Sequence, residues 1–384
     1  MRSRSSQLYS PENKSIHKFL ILLLVIAALL GAGILLIYSK EARKPVVISN
    51  NTYFVSPSGD DLNNDGKSTG TAFKTLNAAL NLAQAGDRVE LMDGEYREDI
   101  KTKRSGTIEH PIRILGTHNA VILGDNQDRI IEVNHDNIVL DGFSVNGLDG
   151  DPQNIDSYAD KLVYISGTGA NKEVSGVKLL NLDLRNSGGE CVRFRHFAQD
   201  NEVAYSSIQN CGAYDFKFQQ GGKNGEGIYI GTAPEQQNDG KNPVGTADKS
   251  DSNHIHHNTI NTQANECVDI KEASSENLVE YNDCQGQQDV ESAGLDSRGN
   301  SNIFRNNTVH DNLGAGVRLG GDGNRDGIDN QVYNNLLFGN KAGAVKVMRI
   351  PQGKICGNQI TGNTDGEVTG EYAEDFDPTI SCDN

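Results

Sequence analysis

Two basic residues, Lys271 and Arg298, have the types and the neighbours that proton-transfer chemistry requires. Each follows an aspartate by two residues, and Glu266 precedes Lys271 by five. A lysine can act as a base where burial and nearby cations lower its pKa, whereas an arginine stays charged and can hold a carboxylate or a leaving-group oxygen. We therefore predict Lys271 and Arg298 as catalytic residues. Clustered carboxylates repel one another, and a hard cation relieves that repulsion. The predicted Ca²⁺ ligands are Glu226, Glu266, Asp269 and Asp296.

These residues belong to short alternating segments that recur every 22 to 40 residues. In each segment an apolar residue is followed two positions later by a second residue, which is apolar in every segment but one. Such alternation predicts a strand with one buried face, and its repetition is typical of a solenoid. The first apolar residues of the segments are Val192, Ile228, Val268, Leu295, Val317 and Val345. The sequence thus predicts an all-β fold, a right-handed parallel β-helix over residues 111–362.

The opposite face of every segment points to solvent, which places the candidate residues on one outer wall. From the first segment to the last, this face carries Arg193, Tyr229, Asp269, Asp296, Arg318 and Lys346. We expect the three basic side chains Arg193, Arg318 and Lys346 to bind glycan carboxylates and Tyr229 to stack on a sugar ring. Two polar insertions, 232–252 and 285–292, are expected to form the walls of a cleft on this face.

An asparagine recurs in register in the later part of each repeat. Its positions are Asn258, Asn282, Asn307, Asn335 and Asn358. Asparagine tolerates the left-handed backbone conformation and forms hydrogen bonds with neighbouring backbone groups. The pattern therefore predicts a stacked asparagine ladder in a tight turn of the solenoid.

A solenoid must cover the open end of its core. Residues 52–110 are predicted to form an N-terminal cap with the first strands. Within them, the apolar spacing of Leu76, Ala79, Leu80 and Ala83 predicts a capping helix over residues 75–84. Residues 363–384 are predicted to form an acidic C-terminal tail.

The N-terminal region has the pattern of a membrane anchor. Residues 19–38 carry no charge and are long enough to cross a hydrocarbon layer of about 30 Å. They follow a basic tail, 1–18, and precede a linker, 39–51. We expect one transmembrane signal-anchor with its N-terminus cytoplasmic and the β-helix in the periplasm or outside the cell. We expect the protein to be a monomer.

The formal net charge of −17 argues against a nucleic-acid partner, which needs a basic surface. A polyanionic glycan would require a local basic patch or bound cations. The six cysteines can form disulfides in an exported domain, and their spacing leaves the pairing open.

The predicted site fits β-elimination on an acidic polysaccharide. Ca²⁺ would neutralise the uronate carboxylate and so acidify the proton on C5. Lys271 would take that proton, and Arg298 would assist departure of the glycosidic oxygen on C4.

The chain resembles the parallel β-helix polysaccharide lyases, and within them the family of chondroitinase B and alginate lyase. The resemblance rests on Glu266 five residues before Lys271 and on Arg298 at the matching position of the next repeat. It implies a calcium-binding Glu266, a catalytic Lys271 and a catalytic Arg298. The chain departs from the family pattern at Ala264, where the family has a second glutamate, and at 299–300, where a His-Gly pair normally follows the arginine.

Two other functions fit the same pattern. A non-catalytic β-helix that binds carbohydrate at the cell surface would use Lys271 and Arg298 only as solvated charges. A uronan C5-epimerase would share the proton abstraction but would return the proton instead of expelling the C4 oxygen. Cleavage products with unsaturated ends distinguish the lyase from both.

Overall fold

Successive repeats of the chain stack as coils of three short strands each. The computed structural model describes residues 46–125, 128–168, 172–240, 242 and 246–383. The strands form three sheets, and neighbouring strands within each sheet pair in parallel. In each coil the chain passes through sheet 1, sheet 2 and sheet 3 before it enters the next coil. The predicted all-β parallel β-helix is therefore confirmed.

The strands of the three sheets have the following bounds. Sheet 1 contains Thr52–Val55, Arg88–Leu91, Ile112–Leu115, Ile138–Asp141, Lys178–Leu180, Glu202–Ala204, His254–His256, Leu278–Glu280, Ile303–Arg305, Gln331–Tyr333 and Ile355–Cys356. Sheet 2 contains Gly94–Tyr96, Ala120–Ile122, Ser144–Asn146, Asp183–Arg185, Ser207–Gln209, Thr259–Asn261, Asp283–Gln285, Thr308–His310, Leu336–Phe338 and Gln359–Thr361. Sheet 3 contains Ile100–Lys101, Arg129–Val133, Lys161–Ser166, Val192–Arg195, Ile228–Ile230, Val268–Ile270, Ala293–Ser297, Ala315–Leu319, Val345–Val347 and Val368–Thr369.

The core runs along the inside of the coils. In sheet 3 the residues predicted to face inwards are all fully buried, including the polar Ser297. Inward columns of sheets 1 and 2, such as Val203–Ile255–Val279–Phe304 and Ile208–Ile260–Cys284–Val309, are also buried. Each coil thus contributes one apolar layer, and neighbouring layers pack against each other along the solenoid.

Helical structure is confined to the α-helix Leu76–Leu82 and a few short turns within the described residues. The Thr75 side chain caps the helix by accepting a hydrogen bond from the Ala78 amide, and Leu76, Ala79 and Leu80 are buried. This helix lies inside the predicted segment 75–84 and packs against the first coil. Single turns occur at Thr69–Thr71, Ile155–Ser157, Ala213–Lys217, Pro234–Gln236 and Ala373–Asp375.

The buried asparagines hydrogen-bond from coil to coil. The Asn282 side-chain amide donates to Asn307 Oδ1 at 3.1 Å and to the Ile255 carbonyl at 2.9 Å, while its Oδ1 accepts from Asn258 at 2.9 Å. The left-handed residue of this turn is the one before each ladder asparagine, such as Tyr281, and not the asparagine itself. The predicted hydrogen bonding of the ladder asparagines is therefore confirmed, whereas the predicted left-handed conformation of these asparagines is wrong.

Three disulfides join the coils. They pair Cys191 with Cys211, Cys267 with Cys284, and Cys356 with Cys382. The last bond ties the C-terminal segment to sheet 1, and Asn358 donates to the Pro378 carbonyl at 3.0 Å. Tyr372 and Phe376 pack on the end of the core. The predicted acidic tail 363–384 thus covers the last coil, up to the end of the described residues.

The predicted transmembrane segment 19–38 lies outside the described residues. Among the residues that are described, no helix combines the length and the apolar character needed to cross a membrane. The predicted basic tail 1–18 and most of the linker 39–51 also lie outside them.

We expect Asn282→Ala to lower the free energy of unfolding by about 2–3 kcal/mol, because it leaves buried partners in two coils without hydrogen bonds. Chemical denaturation of the variant and the wild type measures this. Asn324→Ala is the control, since Asn324 is exposed, lies outside the ladder and does not have a left-handed backbone. Equal losses in the two variants would contradict a special role for the ladder.

Candidate functional site

The outer face of sheet 3 carries one continuous column of polar side chains. Backbone pairing places Tyr164, Arg193, Tyr229, Asp269, Asp296, Arg318 and Lys346 beside one another on seven consecutive strands. Residues separated by up to 40 positions in sequence therefore become neighbours about 4.8 Å apart. The register that the repeat predicts is the register of the structure.

Three carboxylates meet at the start of two of these strands. One oxygen from each of Glu226, Glu266 and Asp269 lies within 4.8 Å of the others, and all three residues are buried. The Oε2 atom of Glu266 and the Oδ1 atom of Asp269 lack a hydrogen-bond donor among the described residues, and Asp269 Oδ2 is paired with Lys271 Nζ. Buried carboxylate oxygens without donors are suited to a hard cation. The donor set therefore fits Ca²⁺.

Asp296, the fourth predicted ligand, lies outside this cluster. Its carboxylate accepts two hydrogen bonds of 3.1 Å from Arg318 Nη1 and lies 3.8 Å from Arg298 Nε. Asp296 thus interacts with two arginine side chains. The structure groups three of the four predicted ligands.

Lys271 is buried at the edge of the carboxylate cluster. Its Nζ lies 2.6 Å from Asp269 Oδ2 and 4.8 Å from the centre of the Tyr229 ring. Burial alone would lower the pKa of Lys271, but Asp269, with Tyr229 and Glu266 adding to it, raises the pKa well above its usual value. Lys271 is therefore a cation in this arrangement. It can serve as a base only when Asp269 is engaged elsewhere.

Arg298 lies on the coil that follows Lys271, on the same wall. The Arg298 amide donates to the Ile270 carbonyl, directly before Lys271. Its guanidinium contacts Asp322 Oδ1 at 3.2 Å, and about a quarter of the side chain is exposed. Burial opposes its charge, but Asp296 and Asp269 more than compensate and raise its pKa. Arg298 is therefore a permanent cation that a ligand can reach.

Arg193 and Tyr229 are more deeply buried than an open cleft would leave them. The Arg193 guanidinium stacks on the Tyr229 ring at 3.4 Å and contacts Glu190 at 3.0 Å and Gln236 at 3.3 Å. Gln236 belongs to the insertion 232–252, which thus covers this part of the wall. Arg193 and Lys271 both lie against the Tyr229 ring, and the residue is 3% exposed, so the stacking of a sugar on this ring stays a prediction. Substrate contact by Arg193 stays a prediction.

The other two predicted substrate contacts lie at the far end of the column. Arg318 is partly exposed and is held by Asp296 and the Gly320 carbonyl. Lys346 donates to the Glu291 carbonyl at 3.1 Å, at the edge of the second insertion. Both cations flank the site, where acidic sugars could reach them.

Two residues that stabilise the site were not predicted. Lys161 Nζ contacts Glu190 at 2.9 Å, and Ser292 donates to Glu266. Burial opposes the charge of Glu190, but Lys161 and Arg193 outweigh it and lower its pKa to about 2. The alternation of residues 161–166 matches the later segments, so the same register could have placed Lys161 beside Glu190. The Ser292 contact depends on the path of an insertion, which periodicity does not give.

A cavity of about 710 Å³ lies beside the N-terminal end of the site. Its lining includes Asp160, Gly189 and Asn224, which are within two positions of Lys161, Glu190 and Glu226 in the sequence. The cavity gives a ligand longer than one sugar space to extend along the coils.

Solved structures of β-helix enzymes are similar to this chain in fold. An alginate lyase from Paenibacillus sp. str. FPU-7 matches with a TM-score of 0.64 and 20% identity over 84% of this chain and 98% of that chain. Pectate lyase Pel9A matches with a TM-score of 0.50 and 14% identity, covering 87% and 82% of the two chains. No protein-family model matches the chain, and no curated protein matches its sequence. The chain has the fold of the parallel β-helix polysaccharide lyases.

The fold is also found in hydrolases. A lacto-N-biosidase of family GH136 from Eubacterium ramulus matches with a TM-score of 0.50 and 14% identity, over 84% of this chain and 67% of that chain. The fold is therefore common to lyases and glycosidases, and the site must decide the reaction.

We expect the stability of the cation-free protein to fall between about pH 4.5 and 7. Burial, with Glu190 and Asp269 adding to it, raises the pKa of Glu226 to about 7 from an ordinary 4.5. The folded state therefore binds this proton more tightly than the unfolded state, and the stabilisation is lost as pH rises through the folded pKa. Melting temperatures in chelator should fall less with pH for Glu226→Gln than for the wild type. Parallel pH profiles would contradict the shift.

Proposed function

We propose that the protein is a polysaccharide lyase that cleaves a uronic-acid-containing glycan, of the alginate, pectate or chondroitin kind, by β-elimination. The observation that carries the proposal is the position of Lys271 and Arg298 on consecutive coils of one wall, beside three clustered carboxylates. The shared fold with alginate and pectate lyases supports the class of reaction. The proposed site contains a base, a permanent cation and a place for a metal ion.

In the proposed reaction, Lys271 Nζ takes the proton from C5 of the uronate. The electron pair left on C5 forms the C4=C5 double bond while the bond between C4 and the glycosidic oxygen breaks. Arg298 keeps its charge throughout, so it can bind the uronate carboxylate or the departing oxygen. The products are one chain that ends in an unsaturated uronate and one that ends in a free hydroxyl group.

The departing oxygen must also receive a proton. Tyr229 lies against Lys271, and no described residue forms a hydrogen bond with its hydroxyl. In the proposed cycle the Tyr229 hydroxyl gives its proton to the departing oxygen and then recovers a proton from Lys271. This returns both side chains to their starting states, and no external acid is consumed.

Lys271 must lose its ion pair with Asp269 and release its proton to water before it can act as a base in the first cycle. Bound by Glu226, Glu266 and Asp269, Ca²⁺ would supply positive charge that neutralises the uronate carboxylate and competes with Lys271 for Asp269. The unpartnered oxygens of Glu266 and Asp269 support this assignment. Arg298, Arg318 and Lys346 add positive charge on the same wall, which a protein of net charge −17 needs in order to bind a polyanion.

The proposed setting is outside the cytoplasm. Three disulfides support an oxidising compartment, because such bonds rarely persist in the cytosol. We propose a monomer anchored through residues 19–38, with the β-helix in the periplasm or outside the cell.

Lys271→Ala and Arg298→Ala should each abolish cleavage of the polyuronate that the wild type degrades, and Tyr229→Phe should lower kcat with little change in KM. Lys271→Ala removes the base, Arg298→Ala removes the cation, and Tyr229→Phe removes only the hydroxyl. Ultraviolet absorbance of the unsaturated chain ends measures the reaction on a panel of alginate, pectate and chondroitin.

Lys74→Ala and Arg88→Ala are the controls, because both cations are exposed near the N-terminal end of the solenoid and belong to neither the site nor its walls. Full activity in Lys271→Ala or Arg298→Ala would remove that residue from the mechanism. Sugars of altered stereochemistry without cleavage would indicate the epimerase, and binding without any product would indicate the carbohydrate-binding protein.

Calcium at about 1 mM should raise the melting temperature of the wild type, since a ligand that binds the folded state stabilises it. The effect should be lost in Glu266→Gln and kept in Glu95→Gln, whose side chain is exposed elsewhere. Chelation should also slow cleavage. A melting temperature that does not respond to calcium would contradict the proposed calcium site. The catalytic roles of Lys271 and Arg298 would still be tested separately, by the alanine variants described above.

A further inference from the structure

The turn between sheet 1 and sheet 2 contains one left-handed residue in every coil from residue 142 onwards. These residues are Gly142, Asn181, Tyr205, His257, Tyr281, Asn306, Asn334 and Gly357, with φ between 50° and 85°. Five of the eight are glycine or asparagine, the residue types that tolerate this conformation. Three consecutive coils instead carry a bulky aromatic ring at this position.

Aromatic residues in the left-handed region are unfavourable, and the interior of the protein does not compensate for these three. Tyr205 is 60% exposed and Tyr281 is 51% exposed, and His257 is also exposed. Asn306 and Asn334 form the same turn in the coils that follow, so the fold does not require a ring there. Strained residues that the fold does not need are candidates for function.

The three rings form a stack, which we call the aromatic ridge. The ring centres of Tyr205 and His257 are 5.1 Å apart and those of His257 and Tyr281 are 4.9 Å apart, with interplanar angles of 29° and 23°. Because the faces cover one another, the ridge presents ring edges. Ring edges carry partial positive charge, and tyrosine hydroxyl and imidazole N–H groups are hydrogen-bond donors.

The middle ring is held by a chain of polar contacts. His257 Nδ1 lies 2.8 Å from His256 Nδ1, and His256 Nε2 lies 3.1 Å from Glu202 Oε1. The other Glu202 oxygen is paired with Lys178 at 2.6 Å, so its charge is balanced. The nearby Glu280 is likewise paired with Arg305 at 2.6 Å. His257, the middle ring of the ridge, is therefore fixed in orientation, and the carboxylates near the ridge are already paired with cations.

We propose that the aromatic ridge is a second binding surface for an acidic polysaccharide, on the corner between sheets 1 and 2 and separate from the sheet 3 site. The class of ligand rests on the proposed function. A donor group recurs once per coil along the solenoid, which suits a linear chain of acceptor-rich sugars. A ridge one ring wide and three coils long is too narrow for a protein interface of about 800 Å² per partner.

The test replaces the three rings by the residue type that the same turn uses in the other coils. The variant combines Tyr205→Asn, His257→Asn and Tyr281→Asn in the full chain, in a Lys271→Ala background that stops turnover. Isothermal titration with the polyuronate and with its trisaccharide measures binding, and thermal denaturation measures stability. Leu62→Asn, which removes another highly exposed apolar side chain, is the control.

We expect the triple variant to weaken binding of the polymer about tenfold or more, with no change for the trisaccharide and an equal or higher melting temperature. Unchanged affinity for the polymer would overturn the proposal. A lower melting temperature would also overturn it, because the rings would then serve the fold. If the wild-type protein cleaves no polyuronate and the triple variant still loses polymer binding, the ridge proposal stands and the lyase proposal is overturned.

Discussion

The stacking register between coils is the constraint on which the rest of the structure depends. Parallel backbone hydrogen bonds fix this register in all three sheets, and side-chain hydrogen bonds between buried asparagines reinforce the same register. A shift of one residue would expose the apolar face and would leave the buried asparagine amides without hydrogen-bond partners. The register is therefore fixed independently of the outer wall. This leaves the outer wall free to hold charges that do not help folding.

Most charges on that wall are balanced by neighbours. Glu190 pairs with Lys161 and Arg193, Asp269 with Lys271, and Asp296 with Arg318. Among the described residues, no basic side chain forms a salt bridge with Glu226 or Glu266, and burial raises the pKa of both. Buried carboxylates of this kind must be protonated or must bind a positive ligand. The unpaired acids therefore mark the part of the wall where a ligand changes the electrostatics most.

The sequence predicts the fold and the columns well because both follow from periodicity. The alternation around Val268 and the matching position of Arg298 after Lys271 are local patterns, and stacking converts them into neighbours. Which basic side chain pairs with which carboxylate cannot be predicted in this way. Asp296 has the same register as Asp269, yet Arg318 on the next coil takes it out of the predicted metal site.

Insertions and covalent links are the other parts that periodicity does not give. Arg193 is covered because Gln236 lies on it, and the path of that insertion is set by contacts outside the repeat. Cys191 and Cys267 directly precede sheet 3 strands, and their partners Cys211 and Cys284 lie just after and within the sheet 2 strand of the next coil, so these two pairings depend on the cross-section of the coil. The order of the cysteines in the sequence does not contain that information.

The arrangement of charges supports the proposed elimination rather than a hydrolysis on this wall. Glycosidases generally use two carboxylates in different protonation states, one as an acid and one as a nucleophile or base. Glu226 and Glu266 share one environment, and in both of them burial and neighbouring carboxylates raise the pKa, so nothing separates the roles of these two. Glu190 differs, because Lys161 and Arg193 lower its pKa, but each of its oxygens is held by one of those cations. The proposed elimination instead uses Lys271, Arg298 and Tyr229: an amine that takes the proton, a cation that keeps its charge, and a hydroxyl with no hydrogen-bond partner among the described residues.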